Sequence, residues 1–314
     1  MSPIILSFVL GLGAALARSD LSFPEAVAKG LSLYLLFAIG FKGGAGVAAH
    51  GLDVWLVAAL LSGIVLSLVL PFIAFALLRA LTKVSVVDAA AVAGHYGSIS
   101  IVTFVAASSL LTGLGIAADG YMVAVAAAME APAILSALWL AARRNGKAGG
   151  VGADLWREIL LNGSIVLLLG AFAIGWITGE DGLAEIAGFI VVPFKGVLCL
   201  FLLDMGLVAG RGLRGSRGVL SLGVVAFGIL MPLVGALAGL MAGLLLGLSL
   251  GSVVLFMVLG ASASYIAVPA AMRVALPEAN PALSLTLSLG VTFPFNLTVG
   301  IPLYLVVAGA LVGS

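Results

Sequence analysis

The chain has 314 residues, 63% of them hydrophobic and only 9% charged, with a mean hydropathy of +1.32 and a formal net charge of +1. Ordinary soluble proteins carry about 25% charge, so the composition excludes a soluble globular chain, and long unbroken apolar runs exclude an outer-membrane barrel with alternating strands. A single cysteine, Cys199, and two histidines rule out an internal disulfide and a cysteine-cluster metal site and argue against a His-based zinc site. The near-zero charge by itself says nothing about nucleic-acid or acidic partners, and no nucleic-acid partner is expected of a membrane-embedded chain.

At about 30 residues per span and loop, the length allows about ten spans and no soluble domain. The first apolar run, Pro3 to Ala17, ends in Ala-Leu-Ala like a signal peptide, but Arg18 follows the run instead of preceding it, so it reads as a short first span. Further spans are predicted at Pro24–Ala49, Val54–Leu78, Ala89–Leu114, Tyr121–Ala142, Ile159–Ile177, Ala184–Ala209, Val219–Leu246, Ser252–Ala275 and Ala282–Val312. The eighth and ninth are separated only by Gly-Leu-Ser-Leu-Gly at 247–251, and the last segment suits one tilted span better than two. Arg18, Lys29, Arg79, Lys83, Arg143, Arg144, Lys147, Arg157, Arg211, Arg214, Arg217 and Arg273 then share one side. The opposite loops hold Asp53, Asp119, Glu180, Asp181 and Glu185. The positive-inside rule makes the basic side cytoplasmic and places both termini outside an inner (cytoplasmic) membrane.

A constant offset of 166 residues aligns Lys29-Gly30 with Lys195-Gly196, Gly40 with Gly206, Gly44 with Gly210, Gly94 with Gly260 and Ser98 with Ser264. Five spans per half is an odd number, so the second half is inverted. The expected fold is an all-α membrane protein of ten transmembrane helices in two inverted five-helix repeats, residues 1–147 and 148–314, with helices four and nine broken. Inverted repeats belong above all to secondary transporters, whose sites lie at midplane where paired helices break. The breaks are Gly94-His95-Tyr96-Gly97-Ser98-Ile99-Ser100 and Gly260-Ala261-Ser262-Ala263-Ser264-Tyr265, the latter followed by Pro269. Unwound backbone N–H groups, half-helix N-termini and short hydroxyls suit a small anion, which makes Gly97, Ser98, Ser264 and Tyr265 candidate contacts. Ordinary Gly/Ser helix packing is the competing explanation for either break alone.

Ionisable groups inside the spans cost roughly 2.5–3.5 kcal/mol each on insertion scales. Asp88 suits a helix cap, and Lys42 and Asp204 suit an internal pair between repeat-related helices. Glu130 and its counterpart Asn296 flank the two breaks and, with released carbonyls and serine hydroxyls such as Ser262, are candidate sodium ligands. A protonated Glu130 held by a neighbouring helix is an equal alternative. His95 suits a structural role better than a proton relay.

At Val-Asp-Ala (87–89), the first break through Thr103, Met-Glu-Ala-Pro-Ala (129–133), Ser262 to Arg273, Ala-Asn-Pro (279–281) and Gly-Ile-Pro-Leu (300–303), the chain resembles the sodium-dependent bicarbonate transporter family of the cyanobacterial high-affinity uptake type. The resemblance implies a gate domain and a core domain, each built from both repeats, homotrimers, and elevator-like movement of bicarbonate with sodium as the coupling ion. It places Ser100, Thr103, Ser262 and Ser264 at the substrate. Where the typical member has alanine this chain has Ser98, and where it has an acid after the span-nine serines this chain has Tyr265. The latter leaves room for sodium- or proton-coupled carriage of another small carboxylate or organic solute, and a passive anion channel is a further alternative. The proline pair beyond is reduced to Pro269-Ala270. The long loop between halves is shortened to Arg143–Arg157, which weakens the expectation of a PII-like regulator. No cofactor and no catalytic residue are expected, because the breaks offer Ser and Thr but no convincing base for an enzyme.

Overall fold

Apolar runs in a lipid environment satisfy their backbone groups only within helices or closed barrels, and the described residues are helical with no strand among them. The computed structural model describes residues 3–51, 54–145, 161, 163–215, 221–265, 268, 269, 272 and 276–312. The predicted loop charges Asp53, Lys147, Arg157, Arg217 and Arg273 lie outside the described residues, as do the boundary at 147 and most of the second half of span nine. The helices in chain order are α1 (Pro3–Leu16), α2 (Glu25–His50), α3 (Val54–Leu81), α4 (Val86–Gly97), α5 (Ile101–Gly113), α6 (Met122–Ala128) and α7 (Glu130–Asn145). They continue as α8 (Gly163–Ile190), α9 (Phe194–Gly215), α10 (Leu222–Leu245), α11 (Leu250–Ala261) and α12 (Pro281–Val312). Eight helical stretches among the described residues, α4–α5 and α6–α7 each taken as one, are long and apolar enough to cross a membrane; α1 and α11 are shorter apolar helices.

Two boundaries differ from expectation. The predicted break after Ile177 falls at a kink: two helices meet within α8 at Gly179 (φ 62°, ψ −148°), a conformation that glycine tolerates. What differs is the stretch that follows, since the acidic residues from Glu180 are helical to Ile190 and α9 starts at Phe194, ten residues later than the predicted Ala184. Span four starts at Val86, and its cap is Ser85, not Asp88. Ser85 Oγ accepts from Asp88 N–H (3.0 Å) and donates to Asp88 Oδ2 (2.7 Å), a reciprocal cap, while Asp88 Oδ1 accepts from Asn280 N–H (2.8 Å). Asp88 therefore ties the start of α4 to the start of α12, where Asn280 in turn caps Ala282 (3.0 Å).

The helices sort into two packed groups. In one, α2 lies along α8 and α1 along α9, with α9 also touching α2; in the other, α3, α4, α7, α10 and α11 pack on one another. Without a hydrophobic drive between helices in lipid, close backbone approach at small residues holds such pairs. A Cβ on Gly44 would stand 1.9 Å from the Phe172 carbonyl oxygen of α8, and one on Gly206 would stand 2.2 Å from that of Phe8 in α1. Their repeat mates Gly40 and Gly210 serve the same two crossings, and Gly235 of α10 meets the Gly260 carbonyl oxygen of α11 at 1.9 Å from its absent Cβ. Large apolar side chains such as Leu61, Val65, Ile174, Ile177, Leu237 and Met241 face outward, as lipid contact demands. By contrast, α11 is buried along Gly251–Ala261 and apolar all round, the mark of a helix enclosed by others.

The last helix is a single run, and its backbone widens twice. Phe293 N–H donates to Ser288 O and Ile301 N–H to Asn296 O, both five residues back, closing π turns over Thr286–Thr292 and Asn296–Gly300. Each π segment ends two residues before a proline, Pro294 and Pro302. A proline removes its own donor and crowds the carbonyl four residues back, so the wider turn takes up the mismatch.

The close crossings predict a sharp contrast between two glycines of the same helix. Gly44→Leu should cost roughly 1–3 kcal/mol of stability by overpacking, whereas Gly30→Leu, with nothing within 4 Å of its Cβ position, should leave stability unchanged. Thermal unfolding in detergent measures both; equal midpoints would mean that α2 does not rest on α8 through Gly44.

Candidate functional site

Between α4 and α5 the chain leaves helical geometry for Ser98, Ile99 and Ser100, with Ser98 (φ −84°, ψ 171°) and Ser100 (φ −103°, ψ 106°) extended. After α11 it does so again from Ser262 (φ −85°, ψ 161°) to Tyr265. Both breaks are buried: Ser98, Ser100, Ser262 and Ser264 are each at most 4% exposed. Inside an apolar bundle every unwound N–H and C=O needs a partner, and the two breaks supply partners to each other. Ser264 N–H donates to the His95 carbonyl (2.7 Å), and His95 Nδ1 donates to the Ser264 carbonyl (2.6 Å). A carbonyl can only accept, so the proton sits on Nδ1, and His95 has the structural role expected of it, bridging the breaks. Ser100 N–H donates to Ser262 Oγ (2.9 Å), which donates onward to the Leu259 carbonyl (3.0 Å).

The remaining predicted residues take distinct places around this crossing. Thr103 Oγ1 donates to Ser100 Oγ (3.0 Å), which also accepts from Thr103 N–H (3.3 Å) as the N-cap of α5. Gly97 lets Pro71 of α3 press against the end of α4: a Cβ there would stand 2.3 Å from Pro71 Cγ. Asn296 sits at the second break, its Nδ2 donating to the Ala261 carbonyl (2.8 Å) while its Oδ1 accepts from Tyr304 Oη (2.8 Å). Glu130 sits at the first. A cavity of about 10 Å³, room for one water-sized particle, is lined by Ile99, Ser100, Ile101, Glu130, Ser264 and Tyr265. The structure thus gathers Ser100, Ser264, Tyr265 and Glu130 on one void, with Asn296 and Ser262 outside its lining.

Unpaired oxygens mark the same place. Among the described residues, the buried side-chain atoms without a hydrogen-bond partner are Ser98 Oγ, Glu130 Oε2, Tyr265 Oη and Ser288 Oγ. Native proteins leave few such groups, and each one has a specific cause. Three of the four belong to the two breaks or to the acid beside them. Tyr265 is held edge-on to Phe293 of α12 (centroids 5.7 Å apart), which stacks in turn on Phe8 (5.2 Å).

Sequence patterns did not reveal what opens the helix at Glu130. Pro132 lacks an N–H, and one residue on, Ser67 of α3 inserts its hydroxyl into the ladder: it donates to the Met129 carbonyl (2.5 Å) and accepts from Ala133 N–H (3.1 Å). Such an insertion separates consecutive turns, and it divides α6 from α7 at Met129, beside Glu130. Pro132 was the available signal; nothing in the sequence singled out Ser67. Lys42 and Asp204 do not form the expected pair. The Lys42 ammonium stands over the Phe194 ring (3.7 Å to its centroid), and the charge acting on Asp204 is that of Arg211 in its own helix. Phe194 is the first residue of α9, so Lys42 meets that helix through an aromatic face at its start and not through Asp204 further along it.

A family model described as the Na+-dependent bicarbonate transporter superfamily matches residues 3–309. No curated protein matches the chain. With nearly its whole length matched, the chain belongs to this superfamily, a family of transporters and not of enzymes.

The two serines of the second break contribute unequally to the crossing. Ser262→Ala removes the acceptor of a buried N–H and should cost about 1–3 kcal/mol, whereas Ser264 bonds His95 through its backbone, so Ser264→Ala should cost about 0.5–1.5 kcal/mol. Denaturation in detergent compares them; a larger loss for Ser264→Ala would contradict the hydrogen-bond assignment.

Proposed function

We propose that this member of the Na+-dependent bicarbonate transporter superfamily carries bicarbonate together with sodium across the cytoplasmic membrane, by elevator-type alternating access. One observation carries the proposal. Where two buried helix breaks cross, Glu130 Oε2 and Tyr265 Oη line a one-particle void without partners, and Ser98 Oγ, also unpartnered, lies on the same break. Oxygen donors around a small void suit a hard cation. The first-turn N–H groups of Ile101 and Val102 in α5, which lack intrahelical acceptors, suit an anion beside it, Thr103 N–H being taken by the Ser100 cap.

In this arrangement Glu130 and Tyr265 hold sodium with serine oxygens. Ser262 and Asn296, whose side chains already bond the breaks, keep the second wall in place and lend their remaining lone pairs. Ser98, Ser100, Thr103 and Ser264 form the bicarbonate side, and Gly97, against which Pro71 packs, sets the end of α4 beside them. A carboxylate, a sodium ion and an anion together carry less charge than the carboxylate and anion alone, so each ligand relieves a cost of the other. Binding of one must then strengthen the other by the same factor.

The packing supports the inverted repeat and the division into moving parts. Gly40 and Gly44 of α2 seat on α8, and their mates at the 166-residue offset, Gly206 and Gly210 of α9, seat on α1. Each repeat's second helix thus rests on the other repeat's first, as two interlocked halves, residues 1–147 and 148–314, require. Those four helices make a gate, and the group carrying both breaks makes a core, each drawn from both repeats. The proposal further includes ten spans with both termini outside and assembly as a homotrimer. Tyr265, in place of the family's acid, favours one rival: proton- or sodium-coupled carriage of a different small carboxylate.

Titration calorimetry with sodium alone and then with bicarbonate present tests the site. Sodium should bind about tenfold more tightly with bicarbonate, within the usual range of coupling, and Glu130→Gln should abolish most of that gain. Bicarbonate binding that is indifferent to sodium would reject the symport proposal.

A further inference from the structure

A second, larger void lies away from the crossing. A cavity of about 350 Å³ lies between the two helix groups, with Lys42 of α2 and Lys195 of α9 on one wall and Ser108, Ser109 and Thr112 of α5 on the other. Phe104, on the α5 wall, stands four residues from Ser100, about one helical turn. The cavity therefore adjoins the same half-helix whose N-terminus faces the breaks.

Two features of this cavity remain unexplained by the crossing. Lys42 places an ammonium within an apolar helix, yet among the described residues no carboxylate forms an ion pair with it, and its one recorded partner is the Phe194 ring. The carboxylate in the cavity wall, Asp119, is occupied: its Oδ2 accepts from Ser249 Oγ (3.1 Å) and Ser252 Oγ (2.5 Å) at the start of α11. Lys195, exposed at the start of α9, is the second departure, because it shares this cavity with Asp119, on the side whose loops are otherwise acidic. Two ammonium groups thus face the Ser108 and Ser109 hydroxyls across a cleft with a single carboxylate, Asp119, while the Thr112 hydroxyl donates to the Ser108 carbonyl (2.9 Å). Such a cleft focuses positive potential and concentrates anions.

We propose that this cavity is a second anion site, a vestibule in which Lys42 and Lys195 capture a small monovalent oxyanion and the Ser108 and Ser109 hydroxyls bond it before it reaches the breaks. At about 350 Å³ the space far exceeds a dehydrated ion of this class. The anion is held with its water, weakly and with rapid release, as a waiting position requires. The lysines belong to the gate group and the hydroxyls to the core group, so relative movement of the two groups changes the site. That the captured anion is bicarbonate rests on the proposed function; the charge selectivity of the vestibule does not.

The test uses the full chain with Cys199→Ala and a single cysteine at Ser109. Its rates of modification by an anionic and a cationic methanethiosulfonate of similar size are compared. The anionic-to-cationic rate ratio should fall at least fivefold when Lys42→Gln and Lys195→Gln are added, and bicarbonate should slow the reaction only with both lysines present. Lys195→Gln alone, at an exposed position, should lower the ratio in part and serves if Lys42→Gln impairs assembly. A ratio unmoved by either substitution overturns the vestibule. A ratio that falls, with protection by acetate and none by bicarbonate, upholds the vestibule and counts against bicarbonate as the transported anion.

Discussion

The structure depends on one constraint: two stretches of non-helical backbone lie where no water can satisfy them. An unpaired amide buried in such surroundings costs several kcal/mol. Neither break can pay that cost alone, since each has too few local acceptors. The solution is mutual. His95 and Ser264 exchange two hydrogen bonds, and Ser100 N–H is received by Ser262 Oγ. The crossing fixes α4, α5 and α11 relative to one another, and the close glycine contact of α10 with α11 and the pressure of Pro71 on Gly97 build the frame around it.

Once the backbone is satisfied, a few side-chain oxygens are left over, and the proposed function rests on their position. Ser67 holds the helix open beside Glu130, and the π turns before Pro294 and Pro302 bring Asn296 to Ala261, where Tyr304 locks it. The surroundings of Glu130 and Asn296 are thereby fixed before any ligand arrives, and such preorganisation lowers the ordering cost of binding. Ser98 Oγ, Glu130 Oε2 and Tyr265 Oη are left without partners at or beside the breaks, and under the proposed function these are the groups a ligand would satisfy.

Much of this was legible in the chain because lipid makes sequence rules strict. Apolar runs marked the helices, and the Gly/Ser clusters at 94–100 and 260–265 marked both breaks. The 166-residue offset paired Glu130 with Asn296, each of which does adjoin a break. What escaped were features set by three-dimensional contact. The chain kinks at Gly179 and resumes as helix at once, so an acidic stretch that reads as a loop is helical. Ser67 looks like any small residue of an apolar helix until its hydroxyl meets Met129, and the π turns leave no periodic trace beyond their prolines. Charge pairing between Lys42 and Asp204 was inferred from helix membership alone, whereas rotation about each helix axis decides which side chains meet.

The central claim is that the crossing holds cation and anion together, so that the gradient of one moves the other. Uptake of labelled bicarbonate into proteoliposomes, under separately imposed sodium and proton gradients, tests it most directly. An inward sodium gradient alone should drive accumulation above equilibrium, with a proton gradient alone giving none. Accumulation driven by protons, or equilibration without accumulation under either gradient, would contradict the account.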